Sequence, residues 1–182
     1  MTAVEWLLEQ LWGPLVAVTA EHKGRANGLI STTAITASLL PETPRLSVHL
    51  ARANLTHDLA LAAGAFAVHL LAADATGLEI VRALGFHSGH EGTKLDQLTT
   101  QRGETGAPIL ADAVAYVEAR ASATLEAGAV TVVFADVVAG RRLRDSALLT
   151  IDDVRARAPA AWLEEWDARR RTEIDAARRL GS

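Results

Sequence analysis

Three short stretches of the chain hold residue types that could grip a ligand. The first is Ser31-Thr32-Thr33, inside Asn27–Ser38. Its side chains have little bulk, so a flat ligand could approach the backbone closely. Its N–H and hydroxyl groups are the donors and acceptors that a heteroaromatic ring edge needs. The same residues read equally as the wet face of an ordinary strand. The second stretch is Arg52-Ala53-Asn54-Leu55-Thr56-His57. Asn54 suits a helix N-cap, and the free N–H groups of Leu55, Thr56 and His57 would then make an anion site, to which Thr56 adds a hydroxyl and Arg52 a charge. A capped helix without a ligand fits that pattern too. The third runs from Leu84 to Lys94, where small residues permit tight turns and His87, His90 and Lys94 are donors for an anion or a ring edge.

Other chemistries find less. The chain has no cysteine, which excludes disulfides, thiolate metal sites and a Cys nucleophile. His87 and His90 stand three apart with no third ligand in the pattern. Gly89–Lys94 lacks the Gly-Lys-Ser/Thr order of a phosphate loop, and Ser88 is not at the centre of a nucleophile elbow. His49 and His69 sit within apolar strands and read as packed, hydrogen-bonded core residues. Asp152-Asp153 and Glu164-Glu165 fall at starts or faces of terminal helices, where acids favour the N-terminal dipole.

The elements that must position these groups alternate. Val4, Leu7, Leu8 and Leu11 predict a short amphipathic helix over 3–11, ended by Gly13-Pro14. Leu15–Ala20 reads as a strand, His22–Arg25 as a turn, and the central segment as its hairpin partner. Leu46–Leu50 and Phe66–Leu71 are further strands, with helices predicted at Leu55–Ala63 and Thr76–Leu84. Residues 85–107 show no strong period, and a loop that long is usually functional or covers something. Ala113–Leu125 and Val130–Ala139 are the longest strand candidates, and Ile151–Ala158 and Ala160–Leu180 are helical, with Pro159 at a first helical position. Strands broken up by helices, with two long antiparallel strands late, suit an α+β barrel.

At 182 residues with 49% hydrophobic and 22% charged residues, the chain reads as one globular domain. No apolar run reaches a membrane span, and Glu5 and Glu9 interrupt the place where a signal peptide needs an apolar core, so the expected location is cytoplasmic. A net charge of −4 argues against nucleic acid as the main partner. Residues 1–140 hold eight Lys/Arg against fourteen Asp/Glu, and residues 141–182 ten Arg against eight acids, so the end reads as a docking surface on an acidic body.

Taken in order, these pieces resemble the flavin reductase-like family of FMN-binding split-barrel proteins. Asn27–Ser38 is similar to the family's Asn-Gly-Met-Thr-Ala-Ser-Ser-Phe-Thr-Ser-Val-Ser segment. That likeness implies that Thr32, Thr33 and Ala34 lie along the isoalloxazine edge. Asn54 and Thr56 match the pair that receives the FMN phosphate, with Arg52 and His57 beside them. Ser88, Gly89 and Lys94 match a Ser-Gly-Arg-x-x-Asp-Lys loop, in which His90 here replaces Arg and Thr93 replaces Asp. Thr105–Leu110 resembles the family's entry to its last long hairpin, whose Gly-Asp-His turn is Ala127-Gly128-Ala129 here.

The resemblance implies a mainly β, α+β FMN-binding split β-barrel with short flanking helices over 1–145, and a C-terminal helical extension over 146–182 that packs on the barrel or a dimer partner. It implies a homodimer that binds FMN, or FAD in its place, uses NAD(P)H as co-substrate and transfers hydride to the flavin. A flavin-dependent monooxygenase or another electron acceptor would take the electrons. A non-catalytic flavin carrier, or a related barrel binding heme or a deazaflavin, is the alternative. The stripe Trp162, Leu163, Trp166, Ile174, Ala177 is expected to make the dimer, because so late a helix has little core of its own subunit left to cover.

Overall fold

The apolar run at residues 15–20 is buried on both sides, and this sets the architecture. The computed structural model describes residues 3–90 and 92–180; Glu91 of the third motif and the outermost residues of the two expected regions lie outside these. In order, the elements are α1 (Ala3–Glu9), β1 (Val16–His22), β2 (Arg25–Ser31), β3 (Ala34–Thr36), β4 (Arg45–Ala51), α2 (Leu55–Ala63), β5 (Ala65–Leu70) and α3 (Ala75–Gly85). A 3-10 turn (Leu95–Gln97) follows, then β6 (Thr100–Arg102), β7 (Pro108–Leu110), β8 (Ala115–Ala127), β9 (Val130–Arg142), α4 (Ile151–Arg157) and α5 (Ala160–Leu180).

Seven strands form one antiparallel sheet in the order β2-β1-β5-β8-β9-β4-β3. Lys23 and Gly24 both take positive φ, 52° and 78°, the geometry that turns a tight hairpin between β1 and β2. β2 and β3 follow each other in the chain yet stand at opposite ends of the sheet, with only Thr32-Thr33 between them. Two linking residues span on the order of 10 Å, so the sheet must curl until its edges nearly meet. This is a mainly β, half-closed barrel with flanking helices.

Period-two alternation fills it. Val16, Val18, Leu46, Val48, Leu50 and Phe66 point inward, where Leu55, Leu59 and Ala60 of α2 plug the open side. Leu15 and Ala17 point outward, onto a second core built with Ile80, Leu84 and Phe86 of the α3 region and with Leu149 and Val154. His69 is a packed core residue, as its strand suggests: fully buried, with one ring nitrogen on Ala17 O and the other accepting Leu110 N–H.

Three regions depart from the sequence reading. Residues 85–107 contain the 3-10 turn and β6, a strand of three residues, too short for a visible period. The buried Glu118 carboxylate holds the following loop, accepting the N–H groups of Glu104 (3.1 Å) and Thr105 (2.7 Å) and the Thr105 hydroxyl (2.7 Å). The α1 stripe faces outward, with Val4, Leu7, Leu8 and Leu11 all more than half exposed. Lastly, Trp162 and Trp166 pack against Phe86 of the same chain, with ring centres 6.0 and 5.7 Å away. The α3 region therefore leaves an aromatic patch for α5 to cover, which overturns the reason given for assigning that stripe to a dimer.

Candidate functional site

Where the two sheet edges approach, a cavity of about 490 Å³ opens beside the Thr32-Thr33 link. Its floor is Ile30 to Thr33 with His49 and Ala51 of β4. Asn54 and Val130 lie at the end toward α2, while Leu84, Gly85 and Lys94 form a flank. Leu163, Trp166, Asp167 and Arg170 of α5, with Arg155 of α4, close it from above.

The floor is tightly held. Gly13 N–H donates to Thr32 O (3.1 Å) and His49 N–H to Thr33 O (3.4 Å). Thr33 N–H donates to Ser31 Oγ (3.1 Å), and the two hydroxyls lie 2.9 Å apart. Thr32 and Thr33 thus line the cavity together, whereas Ala34 pairs with Val48 in β4 and packs on the barrel core.

The α2 end differs in detail from its sequence pattern. Asn54 occupies the N-cap with extended backbone, φ −94° and ψ 133°, but its side chain makes no cap bond. Its carbonyl instead accepts His57 N–H (3.0 Å), so the unpartnered helical donors expected there reduce to those of Leu55 and Thr56. With its side chain uncommitted to the cap, Asn54 lines the cavity.

Three neighbours turn elsewhere. The Thr56 hydroxyl is buried and accepts from Asn27 Nδ2 (3.1 Å). His57 is held between Asp58 (2.8 Å) and the Thr131 hydroxyl (2.9 Å). Arg52 reaches the β8–β9 turn, donating to Gly128 O (3.2 Å) near Glu126.

The third motif splits as well. Lys94 lies in the cavity wall, its Nζ donating to Leu84 O (2.7 Å) and Gly28 O (3.3 Å). Burial, reinforced by Arg169, lowers its pKa to about 8. Ser88 lines another hollow, of about 200 Å³, that shares only Lys94 with the first. Gly89 is buried against the Asn27 side chain, where a Cβ would collide with the amide. Of the ten residues singled out in the sequence, the structure brings Thr32, Thr33, Asn54 and Lys94 into one cavity. His87 and His90 gain no third ligand among the described residues.

The largest correction is His49. Leu46, Val48 and Leu50 take the inward positions of β4, so His49 is exposed on the outer face and contributes to the floor. That alternation was visible in the sequence, and counting it would have found the residue. The roof from α5 had no comparable signal.

Residues 8–158 match the family described as "Flavin reductase like domain". A ferric-chelate reductase (NAD(P)H) of Archaeoglobus fulgidus is 31% identical over 140 residues, covering 76% of this chain and 81% of that protein. Among solved structures, an FMN-binding protein from Thermus thermophilus with bound p-hydroxybenzaldehyde has 27% identity and TM-score 0.65, covering 71% of each chain. An NADH:FAD oxidoreductase of Streptomyces globisporus, at 22% identity and TM-score 0.70 over 81% of this chain and 86% of that one, shares the fold. No helix among the described residues is long and apolar enough to cross a membrane.

Proposed function

The chain belongs to the flavin reductase-like family, and from that premise we propose that it binds FMN along Thr32-Thr33 and serves as an NAD(P)H-dependent flavin oxidoreductase. The observation that carries this is the cavity itself: about 490 Å³, with the small side chains of Ser31, Thr32 and Thr33 in its floor and amide and cationic groups at its borders. These residues fit a flat ring bearing a phosphate. Bound there, the flavin would supply the redox chemistry, accepting hydride from a reduced nicotinamide.

The chain's own groups bind and orient. Thr32 and Thr33 meet the ring edge from a fixed floor, and His49 stands beside them. Asn54, which lines the cavity at the positive end of α2, receives the phosphate. Lys94, cationic below about pH 8, favours an anionic ligand, and Trp166 helps exclude water from above. A homodimer belongs to the same proposal: Ile35 and Phe134, exposed on β3 and β9, flank Ser47 across three adjacent strands and offer an apolar face to a second copy.

A flavin carrier without turnover is the second reading. It is favoured by the β8–β9 turn, where Ala127-Gly128-Ala129 supplies neither acid nor imidazole to a nicotinamide. Titrating the purified chain with FMN, then following NADH consumption with FMN present, decides both points. Saturable FMN quenching with turnover supports the oxidoreductase, and quenching without turnover leaves the carrier. FMN that never binds overturns both.

A further inference from the structure

Three helices meet at the mouth of the cavity around one carboxylate. Glu9, at the end of α1, has a side chain only 9% exposed. Arg155 Nη2 from α4 donates to both its oxygens, at 3.1 and 3.2 Å, and Arg170 Nη1 from α5 lies 3.6 Å away. The Arg170 guanidinium also sits 5.7 Å from the centre of the Trp12 ring. Arg155, Arg170 and Trp12 line the cavity. Guanidinium groups converging on a carboxylate have the geometry that grips a phosphate, and an indole face beside them suits a purine. Asp167 and Glu173 face the same space, but Glu173 is paired with Arg169 at 3.2 Å. The cations of the mouth are thus held by an internal anion supplied by α1.

We propose that Arg155, Arg170 and Trp12 form a subsite for the adenosine diphosphate portion of a dinucleotide, which Glu9 occupies in the free protein and the ligand's phosphates displace. The proposal rests on the reading of the cavity as a flavin site, because the dinucleotide's reactive ring would reach Thr32-Thr33 while its adenylate stays at the mouth. The shared chemistry is ADP, carried by FAD and by NAD(P)H alike.

ADP is titrated into the full flavin-free chain by calorimetry, with wild type, Glu9→Gln and Arg170→Ala compared and adenosine as the control. Removing the competing charge should tighten ADP about threefold or more, and removing Arg170 should weaken it about tenfold. Adenosine should distinguish the proteins far less. A gain of affinity in Glu9→Gln cannot come from misfolding. Two further arms identify the source. A higher FAD-to-FMN affinity ratio in Glu9→Gln assigns the subsite to FAD, and tighter NADH binding to the FMN-loaded variant assigns it to the nicotinamide dinucleotide. Equal ADP affinity in all three proteins overturns the proposal. ADP binding that follows the expected order in a chain that never binds FMN overturns the flavin reading and leaves the anion subsite standing.

Discussion

Acid should destabilise this fold through His69, and the size of the effect follows from its two hydrogen bonds. Nδ1–H donates to Ala17 O (3.2 Å) and Nε2 accepts Leu110 N–H (3.1 Å), so the ring is fixed as one neutral tautomer. A second proton would have to enter where Nε2 already faces a donor. Burial lowers the pKa from 6.5 to about 4, although Ala17 O and Glu118 pull it upward. Because the folded pKa is the lower one, the stability associated with neutral His69 is fully present above 6.5. It is lost as pH falls through the window down to about 4, since the unfolded chain takes up a proton that the fold refuses. Each pH unit in the window costs about 1.4 kcal/mol, or about 3 kcal/mol in all, a large share of the 5–15 kcal/mol typical of a domain. The assay is urea unfolding followed by tryptophan fluorescence at about pH 7.5, 6 and 5, for wild type and His69→Gln. Glutamine can still accept from Leu110 and donate to Ala17, but it does not titrate. The stability difference between the two proteins should narrow by about 2 kcal/mol between pH 7.5 and pH 5. Parallel pH profiles would refute the assignment, because every other titrating group is common to both proteins.

Three substitutions test the cavity and its cover. Thr33→Val removes the hydroxyl that bonds Ser31 and should weaken FMN binding by about 1 kcal/mol or more; an unchanged fluorescence titration would leave only backbone groups in contact. In wild type, FMN affinity should fall as pH rises through about 8 and the Lys94 ammonium is lost. Lys94→Met should flatten that profile, and an identical pH dependence would place the ligand's charge elsewhere. Trp166→Ala strips one ring from the Phe86 patch and should cost about 1–2 kcal/mol in urea unfolding, with FMN dissociating faster. A variant as stable as wild type would mean that α5 is held by its ion pairs.

Much of the barrel was legible because its signals are local. The residue 15–20 run, the Lys23-Gly24 turn and the β8–β9 hairpin each announce themselves within a few residues. The family motifs also led to Thr32, Thr33, Asn54 and Lys94. Motif spacing says nothing about which way a side chain faces, however. Thr56 and Asn54 look equivalent in the chain, yet the carbonyl bond from Asn54 to His57 N–H frees one side chain while Asn27 captures the other. Arg52 promised charge for a phosphate, but the hairpin turn lies closer to it. The partners of α5 were hidden for another reason: Phe86 lies 76 residues before Trp162, and no periodicity connects such distant surfaces.

The two carbonyls at the Thr32-Thr33 link are both engaged by N–H groups from outside it, from Gly13 on one side and His49 on the other. The conformational entropy of this link is therefore lost when the chain folds, and a ligand arriving later finds the floor already ordered. For a ligand on the proposed floor, the cost of ordering that usually erodes affinity would be small there. The cover above it is α5, a 21-residue helix with no buried residue that rests through Trp162 and Trp166 on Phe86. On the proposed reading, floor and roof would divide the work of recognition between them: the rigid seam would set which ring shapes are accepted, and the helix above it how long a ligand stays.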